Sequence, residues 1–154
     1  MSHNVLKAHG RAVQMIREYA PDAQVGFAPT CGIPYPASDK AEDVEAARKV
    51  MFSVPEIDNW TWNVSWWSDP VLLGHYPEEA LRKFHKELPN ITKEDLKLIS
   101  EPIDIYGQNI YNGWMVKMGE DGKPVTVPRY QGFPTTATGW PITPECLYWG
   151  PKFL

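Results

Sequence analysis

The sequence lacks the features that mark membrane-spanning, secreted and nucleic-acid-binding proteins. Its apolar stretches fall well short of the roughly 18 residues that a transmembrane helix needs. No run of Lys and Arg is longer than two residues, so the basic footprint of a nucleic-acid-binding protein is missing. The amino terminus, MSHNVLKAHGRAVQ, is too polar for a signal peptide. We therefore expect neither a membrane nor a nucleic-acid partner, and a cytoplasmic location.

Cysteine is also scarce, and the two cysteines, Cys31 and Cys146, do not show a spacing typical of a metal or redox site. Free thiols are the simpler interpretation, and a disulfide between the two is the alternative. The sequence contains no glycine-rich phosphate-binding loop either. We therefore expect no metal ion and no other cofactor.

Aromatic residues and proline, in contrast, are abundant. The chain has seven Trp and seven Tyr, and its 15 Pro are about double the usual share. Tryptophan-rich chains often bind carbohydrate, because the indole face stacks on the CH groups of a sugar ring. A large aromatic core explains the composition equally well, so composition leaves both interpretations open.

Hydrophobic spacing predicts a first helix and a first strand. Apolar residues at helical spacing predict a helix from Ser2, as its cap, to about Tyr19. Its buried face would carry Val5, His9, Val13, Ile16 and Ala20. A short apolar run over residues 25–28 predicts a buried strand, and the Pro and Gly that follow predict a long irregular loop.

Further along, alternating helices and strands are predicted. Ser38 or Asp39 is expected to cap a helix with the apolar stripe Ala41, Val44, Ala47 and Met51. A helix is favoured over a strand within residues 57–70, and a further helix is expected to begin at Pro77. Thr92 and Asp95 predict a capping box, residues 103–109 a strand, Asp121-Gly122 the turn of a hairpin, and Thr143-Pro144 the start of a final helix.

This order of elements predicts an α/β fold with parallel strands covered on both faces. A closed (β/α)8 barrel takes about 250 residues, so 154 residues could form only part of one. Two parallel strands with open edges do not make a stable sheet. The sequence therefore looks like an incomplete part of an α/β fold.

The chemical groups of a catalytic site are missing where such a barrel would need them. Active sites of α/β barrels lie at the carboxyl ends of the strands, which here are residues 29–36 and 109–114. None of the 19 acidic residues lies in either stretch, and Asp104 stands at the opening of its strand. His9 is expected to be a core or interface histidine, and Cys31 a loop thiol without a histidine near it in sequence.

Several stretches together resemble family 1 of the glycoside hydrolases, the β-glucosidase and 6-phospho-β-glucosidase family. They follow the order of the family's own motifs and cover almost the whole chain: NVLKAHGRAV, VGFAPTCGIPYPAS, SWWSDPVLLGHYP, IDIYGQNIYNGW and TGWPITPECLY. The resemblance implies an α/β fold that is a partial (β/α)8 TIM barrel, roughly from the fourth to the sixth helix of the barrel, with two parallel strands plus a β-hairpin. Residues 1–154 would be a single incomplete segment of one TIM-barrel domain.

The resemblance also implies where the missing acids belong. The family carries its acid/base glutamate in an Asn-Glu-Pro motif upstream of this segment and its nucleophile in a Glu-Asn-Gly motif downstream, and neither tripeptide occurs here. Tyr111 matches the tyrosine that donates to the nucleophile, and Asn109 matches an asparagine of the −1 sugar site. Thr30 lies near a position where many members carry Asn. Cys146 stands where the family usually has Gly.

The function expected from the resemblance is the central portion of a retaining β-glucosidase, inactive as an isolated chain. Its partners would be a β-glucoside or phospho-β-glucoside substrate, and the remaining barrel segments or further copies of itself. A truncated product and one subunit of a split barrel both fit this description. A stand-alone carbohydrate-binding module, or a structural subunit, is the alternative.

Overall fold

The computed structural model of the protein describes residues 1–54 and 62–154. Within these residues the elements are α1 (Ser2–Tyr19), β1 (Gly26–Phe27), β2 (Thr30–Pro36), α2 (Ala41–Phe52), α3 (Val64–Leu72), α4 (Glu78–Lys83), α5 (Lys93–Ile99), β3 (Ile105–Tyr106), β4 (Asn109–Met118), β5 (Pro124–Thr126) and α6 (Cys146–Phe153). No helix in this part of the chain is long and apolar enough to cross a membrane.

The chain forms two compact units. The first comprises Met1–Pro29 and Val54–Asn109, and the second comprises Thr30–Ser53 and Ile110–Leu154. In the first unit β1 pairs in parallel with β3, so the two predicted parallel strands are confirmed, although each is only two residues long. The core of this unit is aromatic, with Trp66 packed against Tyr76 and Phe84 at ring-centroid distances of 4.9 and 5.4 Å.

Helix α1 has the predicted length, but the face that it buries differs from the prediction. It buries Ser2, His3, Leu6, Gly10 and Val13, whereas the expected core residues Val5 and Ile16 are 52% and 37% exposed. The helix carries two apolar stripes, and periodicity alone does not decide which one the protein covers. The predicted cap was also wrong, because Met1 occupies the cap position and Ser2 is the first helical residue.

Helices α4 and α5 form where they were predicted, and α3 confirms a helix in the later part of its predicted segment. The capping box is confirmed, since the Thr92 hydroxyl accepts from the Asp95 amide and the Asp95 carboxylate accepts from the Thr92 amide. Pro77 is the cap of α4, one position before the predicted first turn. Helix α3 begins only at Val64, and residues 57–61 of the predicted helix lie outside the described residues.

A hydrogen-bonded carboxylate ties α1 to α5. Asp95 accepts from the Lys7 ammonium at 2.5 Å and contacts His3 Nε2 at 3.4 Å, while His3 Nδ1 lies 3.0 Å from the Tyr76 hydroxyl. The hydrogen bond from Lys7, together with those from Thr92 and His3, lowers the pKa of Asp95 well below its usual range. Asp95 therefore stays ionised and holds both helices.

The second unit contains the strand order β2-β4-β5. The prediction of a long irregular loop after residue 28 was wrong, because residues 30–36 form strand β2. Backbone bonds join Asn109 to Pro29 and Val116 to Ala37, so β2 and β4 advance in the same direction. Pro34 and Pro36 fit a strand here because β2 is at the edge of this sheet, where some backbone N–H groups need no partner.

The predicted hairpin is confirmed, since β4 and β5 are antiparallel and the turn contains Gly122 with φ of 73°. Asp43, the third residue of α2, is buried and binds the far end of β4. It accepts from the Met118 amide at 2.8 Å and from the Ser38 hydroxyl at 2.5 Å. The bond from Ser38 and that from Met118 lower the pKa of Asp43. The predicted caps Ser38 and Asp39 were wrong, because Lys40 occupies the cap position of α2.

A glycine allows α1 and α5 to approach each other closely. A Cβ at Gly10 would overlap the backbone carbonyl of Leu98. Replacing Gly by Ala within a helix ordinarily raises the free energy of unfolding by about 1 kcal/mol. We expect Gly10→Ala instead to lower it by about 1–3 kcal/mol, because the added methyl group overpacks the contact. Chemical denaturation measures this, with the exposed position Asn4→Ala in the same helix as the control. Stabilisation by Gly10→Ala would contradict the close approach.

Asp69 on α3 gives stability a pH dependence. Partial burial raises its pKa from 3.8 to about 6, against a smaller opposing effect of His75. Because the pKa of Asp69 is higher in the folded chain than in the unfolded chain, the folded state favours the protonated carboxyl. The free energy of unfolding is therefore highest below about pH 4 and falls as pH rises through about 6.

We therefore expect Asp69→Asn to remove a loss of stability between pH 4 and pH 7. The full shift would correspond to about 1.4 kcal/mol per pKa unit, and solvent around the partly buried carboxyl reduces the expected loss to about 1 kcal/mol. Denaturant titrations across this range measure the slope. The exposed Glu87→Gln should reproduce the wild-type profile. Parallel profiles for wild type and Asp69→Asn would show that the Asp69 carboxyl is well solvated.

Candidate functional site

The second unit exposes a pair of aromatic rings. Tyr111 on β4 is 57% exposed and Trp140 is 48% exposed. Their ring centroids are 5.3 Å apart with an interplanar angle of 71°, an edge-to-face contact. Such a pair offers apolar ring faces together with a phenolic hydroxyl and an indole N–H, which is the combination that suits a sugar with CH and OH groups.

Trp140 is presented by a closed loop over residues 135–141. An antiparallel bridge between Thr135 and Pro141 closes the loop. The Trp140 amide donates to the Thr136 hydroxyl at 3.1 Å, and its carbonyl accepts from the Thr136 amide at 2.8 Å. Gly139, with φ of 82°, makes the turn. Both backbone groups of Trp140 are therefore fixed while its side chain stays exposed.

The strand that carries Tyr111 is held two residues further on, at Gly113. The Gly113 amide donates to the buried Thr143 hydroxyl at 3.0 Å, and its carbonyl accepts from the Arg129 guanidinium at 2.9 Å. Thr143 was predicted to cap the final helix, but that helix begins at Cys146. The Thr143 hydroxyl instead accepts the hydrogen bond from Gly113 of β4. This anchoring limits the movement of Tyr111 relative to its surroundings.

Gly113 also lies where a side chain has no space. A Cβ there would overlap the Ile33 carbonyl oxygen of β2 and the Cys146 sulfur of α6. Cys146 is buried, donates to the Ile33 carbonyl at 3.4 Å and is a free thiol, and burial raises its pKa. Cys31 is a free thiol too, and it lies buried within strand β2 and not in a loop as predicted. Neither thiol is exposed as a nucleophile.

The other predicted site residues lie at the starts of strands. Asn109 belongs to the first unit, where its side-chain amide donates to the Ala28 carbonyl at 2.9 Å, and it is exposed. Thr30 belongs to the second unit, as the first residue of β2, and is half-buried. Tyr111 lies in the second unit with Thr30.

Asp104, expected at the opening of its strand, has a role in holding the fold. It accepts from the Val25 amide and from the Arg17 guanidinium, both at 2.7 Å, and these bonds lower its pKa. His9 packs against Phe27 with ring centroids 4.9 Å apart, and burial lowers its pKa. Among residues 1–54 and 62–154 there is no group of three His, Cys, Asp or Glu side chains that could hold a metal ion.

Trp140, Thr143 and Arg129 are the residues whose roles the sequence analysis missed. Trp140 lies in a loop rich in Thr, Pro and Gly, where no periodicity exists to indicate orientation. The Thr-Gly-Trp sequence at residues 138–140 is the available signal, since glycine favours a turn and turns lie at the protein surface.

Comparison with protein families matches residues 1–150 to glycosyl hydrolase family 1. β-Glucosidase A of Acetivibrio thermocellus is 41% identical over 153 residues, a match that covers 96% of this chain and 32% of that protein. β-Glucosidase A of Thermotoga maritima is 36% identical over 147 residues, covering 96% of this chain and 31% of that protein. The chain thus spans about a third of the length of these curated relatives.

A solved structure, that of β-glucosidase from Thermotoga maritima in complex with glucoimidazole, matches this chain with a TM-score of 0.70 at 36% identity. The match covers 98% of this chain and 32% of that structure's chain. The expected partial α/β barrel is therefore confirmed, and the described residues form no closed barrel.

The anchoring of Gly113 predicts the effect of changing Thr143. Thr143→Val keeps the shape of the side chain but leaves the buried Gly113 amide without an acceptor, so we expect a loss of about 1–3 kcal/mol of unfolding free energy. Thr143→Ser keeps the hydroxyl and should lose less. Chemical denaturation measures both, and hydrogen exchange at the Gly113 amide should accelerate in Thr143→Val only. Equal exchange in the two variants would contradict the bond.

Proposed function

Because the chain belongs to glycosyl hydrolase family 1, we propose that it forms the central part of a β-glucosidase that hydrolyses β-glycosidic bonds with retention. The chain supplies the part of the active site around Tyr111. The observation that carries this proposal is the exposed Tyr111–Trp140 pair, held on an anchored strand and a closed loop.

The catalytic carboxylates come from outside this segment. A retaining glycosidase uses two carboxyl groups about 5–5.5 Å apart, one as acid/base and one as nucleophile. The sequence contains neither the Asn-Glu-Pro nor the Glu-Asn-Gly tripeptide that resembles the family's catalytic motifs. The isolated chain is therefore inactive, and catalysis requires the remaining barrel segments.

Tyr111 acts on the nucleophile through its hydroxyl. A phenol that donates to a carboxylate stabilises the charged form, lowers the pKa of the carboxyl group and fixes its orientation for attack. The exposure of Tyr111 makes its hydroxyl accessible to a group outside this chain. Tyr111 is thus a positioning residue whose partner is supplied by another segment.

Each unit is considered by itself for sugar contacts: Asn109 is the candidate in the first unit, and Trp140 and Thr30 are the candidates in the second. The exposed indole of Trp140 offers an apolar face for a sugar ring. Asn109 donates its amide N–H to Ala28, which leaves its exposed amide oxygen to accept from a sugar hydroxyl. Thr30 contributes a hydroxyl at the start of β2.

The proposed substrate class is a β-glucoside. Support comes from the names of the two relatives given above, both of which are β-glucosidases. The two free, buried thiols support a cytoplasmic location, where cysteines remain reduced.

A hybrid enzyme tests the proposal. The region of Thermotoga maritima β-glucosidase A that matches this chain is replaced by the 154 residues, and hydrolysis of an aryl-β-glucoside is measured across pH. We expect the hybrid to be active. We expect Tyr111→Phe to lower kcat by about 10–100-fold and to shift the acidic limb of the kcat/KM profile to higher pH, since the nucleophile loses a hydrogen bond to its charged form.

Tyr130→Phe is the matched control, because Tyr130 is also an exposed tyrosine of the second unit, at 67%. It should leave both the rate and the pH profile unchanged. An unaltered pH profile in Tyr111→Phe would refute the assigned role. Hydrolysis by the isolated chain would show that it carries its own acids, and saturable sugar binding by the isolated chain without hydrolysis would favour a carbohydrate-binding module.

A further inference from the structure

The ladder between β4 and β5 continues past the end of β5 and leads to Arg129. The Val127 amide donates to the Met115 carbonyl at 2.9 Å, in the antiparallel register of the two strands. Two residues further on, the same register would place Arg129 opposite Gly113, with a backbone amide as the donor to the Gly113 carbonyl. The Gly113 carbonyl accepts from the Arg129 guanidinium, at 2.9 Å. A side chain therefore takes the place of the next backbone bond of the ladder.

Arg129 is held on a second side by an aromatic ring. Its guanidinium carbon lies 5.7 Å from the centroid of the Phe133 ring, a cation–π contact. The guanidinium is a planar group with several N–H donors, so one face can rest on a ring while an edge donates to a carbonyl. Arg129 is exposed and Phe133 is half-buried. The donor to Gly113 is thus fixed in place without being buried.

The exposure of Arg129 separates its role from that of Thr143. The Thr143 hydroxyl is buried, so its loss leaves the Gly113 amide without an acceptor away from water. Water can reach the position of the exposed Arg129 side chain and hydrate the Gly113 carbonyl in its place. A water molecule does not fix the direction of a peptide group. Arg129 therefore matters more for the orientation of this segment than for its stability.

The orientation of Gly113 determines the position of Tyr111. The two residues are two positions apart in β4, so they share one face of the strand. Glycine has no side chain to restrict its backbone, so the hydrogen bonds of Gly113 set the path of the strand at this point. The Tyr111 hydroxyl must lie within hydrogen-bond distance of a carboxylate to stabilise it. A displacement of about 1 Å can lower a catalytic rate by about 100-fold.

We propose that Arg129 is a positioning residue of the β-glucosidase reaction, whose guanidinium fixes the strand that carries Tyr111 by binding the Gly113 carbonyl. This proposal rests on the proposed function, since Tyr111 has a catalytic role only if the chain supplies part of a β-glucosidase active site. Arg129 does not contact the substrate in this assignment. Its whole effect on the rate passes through Tyr111.

A double-mutant cycle in the hybrid enzyme tests this route. Arg129→Met removes the donors and keeps a long side chain. We expect it to lower kcat by about tenfold with little change in KM, and to shift the acidic limb of the kcat/KM profile to higher pH, as Tyr111→Phe does. In the Tyr111→Phe background, Arg129→Met should lower kcat by less than about twofold, because the group through which it acts is already absent.

Arg48→Met is the matched control. Arg48 is also an exposed arginine of the second unit, and its guanidinium carbon lies 5.5 Å from the centroid of the Phe52 ring. Arg48→Met therefore removes the same charge and the same type of ring contact. It should leave kcat and the pH profile unchanged.

Three kinetic results would overturn the proposal. An unchanged kcat in Arg129→Met would show that Tyr111 is positioned without the guanidinium. Equal slowing by Arg129→Met in both backgrounds, or a pH shift that persists in Tyr111→Phe, would show that Arg129 acts directly through its charge. Equal slowing by Arg48→Met would show that any loss of positive charge in this unit is enough.

The 154-residue chain by itself gives a measurement that does not depend on activity or on the folding of the hybrid. Hydrogen exchange at the Gly113 amide should be at least about threefold faster in Arg129→Met than in the wild type, because the segment loses one of its two anchors. It should be unchanged in Arg48→Met, and circular dichroism checks that both variants keep the wild-type helix content. Equal exchange in the two variants would show that the guanidinium does not hold this segment, and would overturn the proposal.

The proposed function and the role of Arg129 fail in different ways. A folded hybrid without activity refutes the proposed function, and the role of Arg129 with it. An active hybrid that Tyr111→Phe slows, but in which Arg129→Met has the same effect in both backgrounds, refutes the role of Arg129 alone.

Discussion

The second unit depends on the close approach of two backbones at Gly113. There the β4 strand lies against the Ile33 carbonyl of β2 and the sulfur of Cys146 on α6, with no space for a side chain. The Thr143 hydroxyl and the Arg129 guanidinium bind the two polar groups of this same peptide segment. Sheet, helix and loop are thus packed around one residue without a side chain. The position of Tyr111, two residues away on the same strand, follows from that packing.

Carboxylates in this chain hold elements of the fold together. Asp43 joins the start of α2 to the end of β4, Asp95 joins α5 to α1, and Asp104 joins the start of β3 to β1 and α1. Each is ionised because several donors stabilise its charged form. This is the electrostatic reason why they suit a structural role. A catalytic acid/base must exchange its proton near the working pH, and such strong hydrogen bonding to the charged form prevents that.

The parts of the fold that local chemistry determines were predictable from the sequence. The capping box at Thr92 and the hairpin at Gly122 each depend on residues within a few positions of one another, and both were correct. The predicted buried face of α1 was wrong, because α1 has two apolar faces. The loop predicted in place of β2 was wrong, because β2 contains two prolines that only its edge position tolerates. Trp140 was missed for a third reason, since a loop closed by its own hydrogen bonds has no repeating pattern. The roles of Tyr111, Asn109 and Thr30 came from resemblance to a family, and no local pattern would have indicated them.

The contact between Gly10 and the Leu98 carbonyl has a consequence for motion within the first unit. Two helices whose backbones touch cannot slide or rotate relative to each other without separating. Helices α1 and α5 therefore move as one rigid body, and the bond from Lys7 to Asp95 between them is not strained by a relative shift. Any conformational change in this unit has to occur outside this pair of helices.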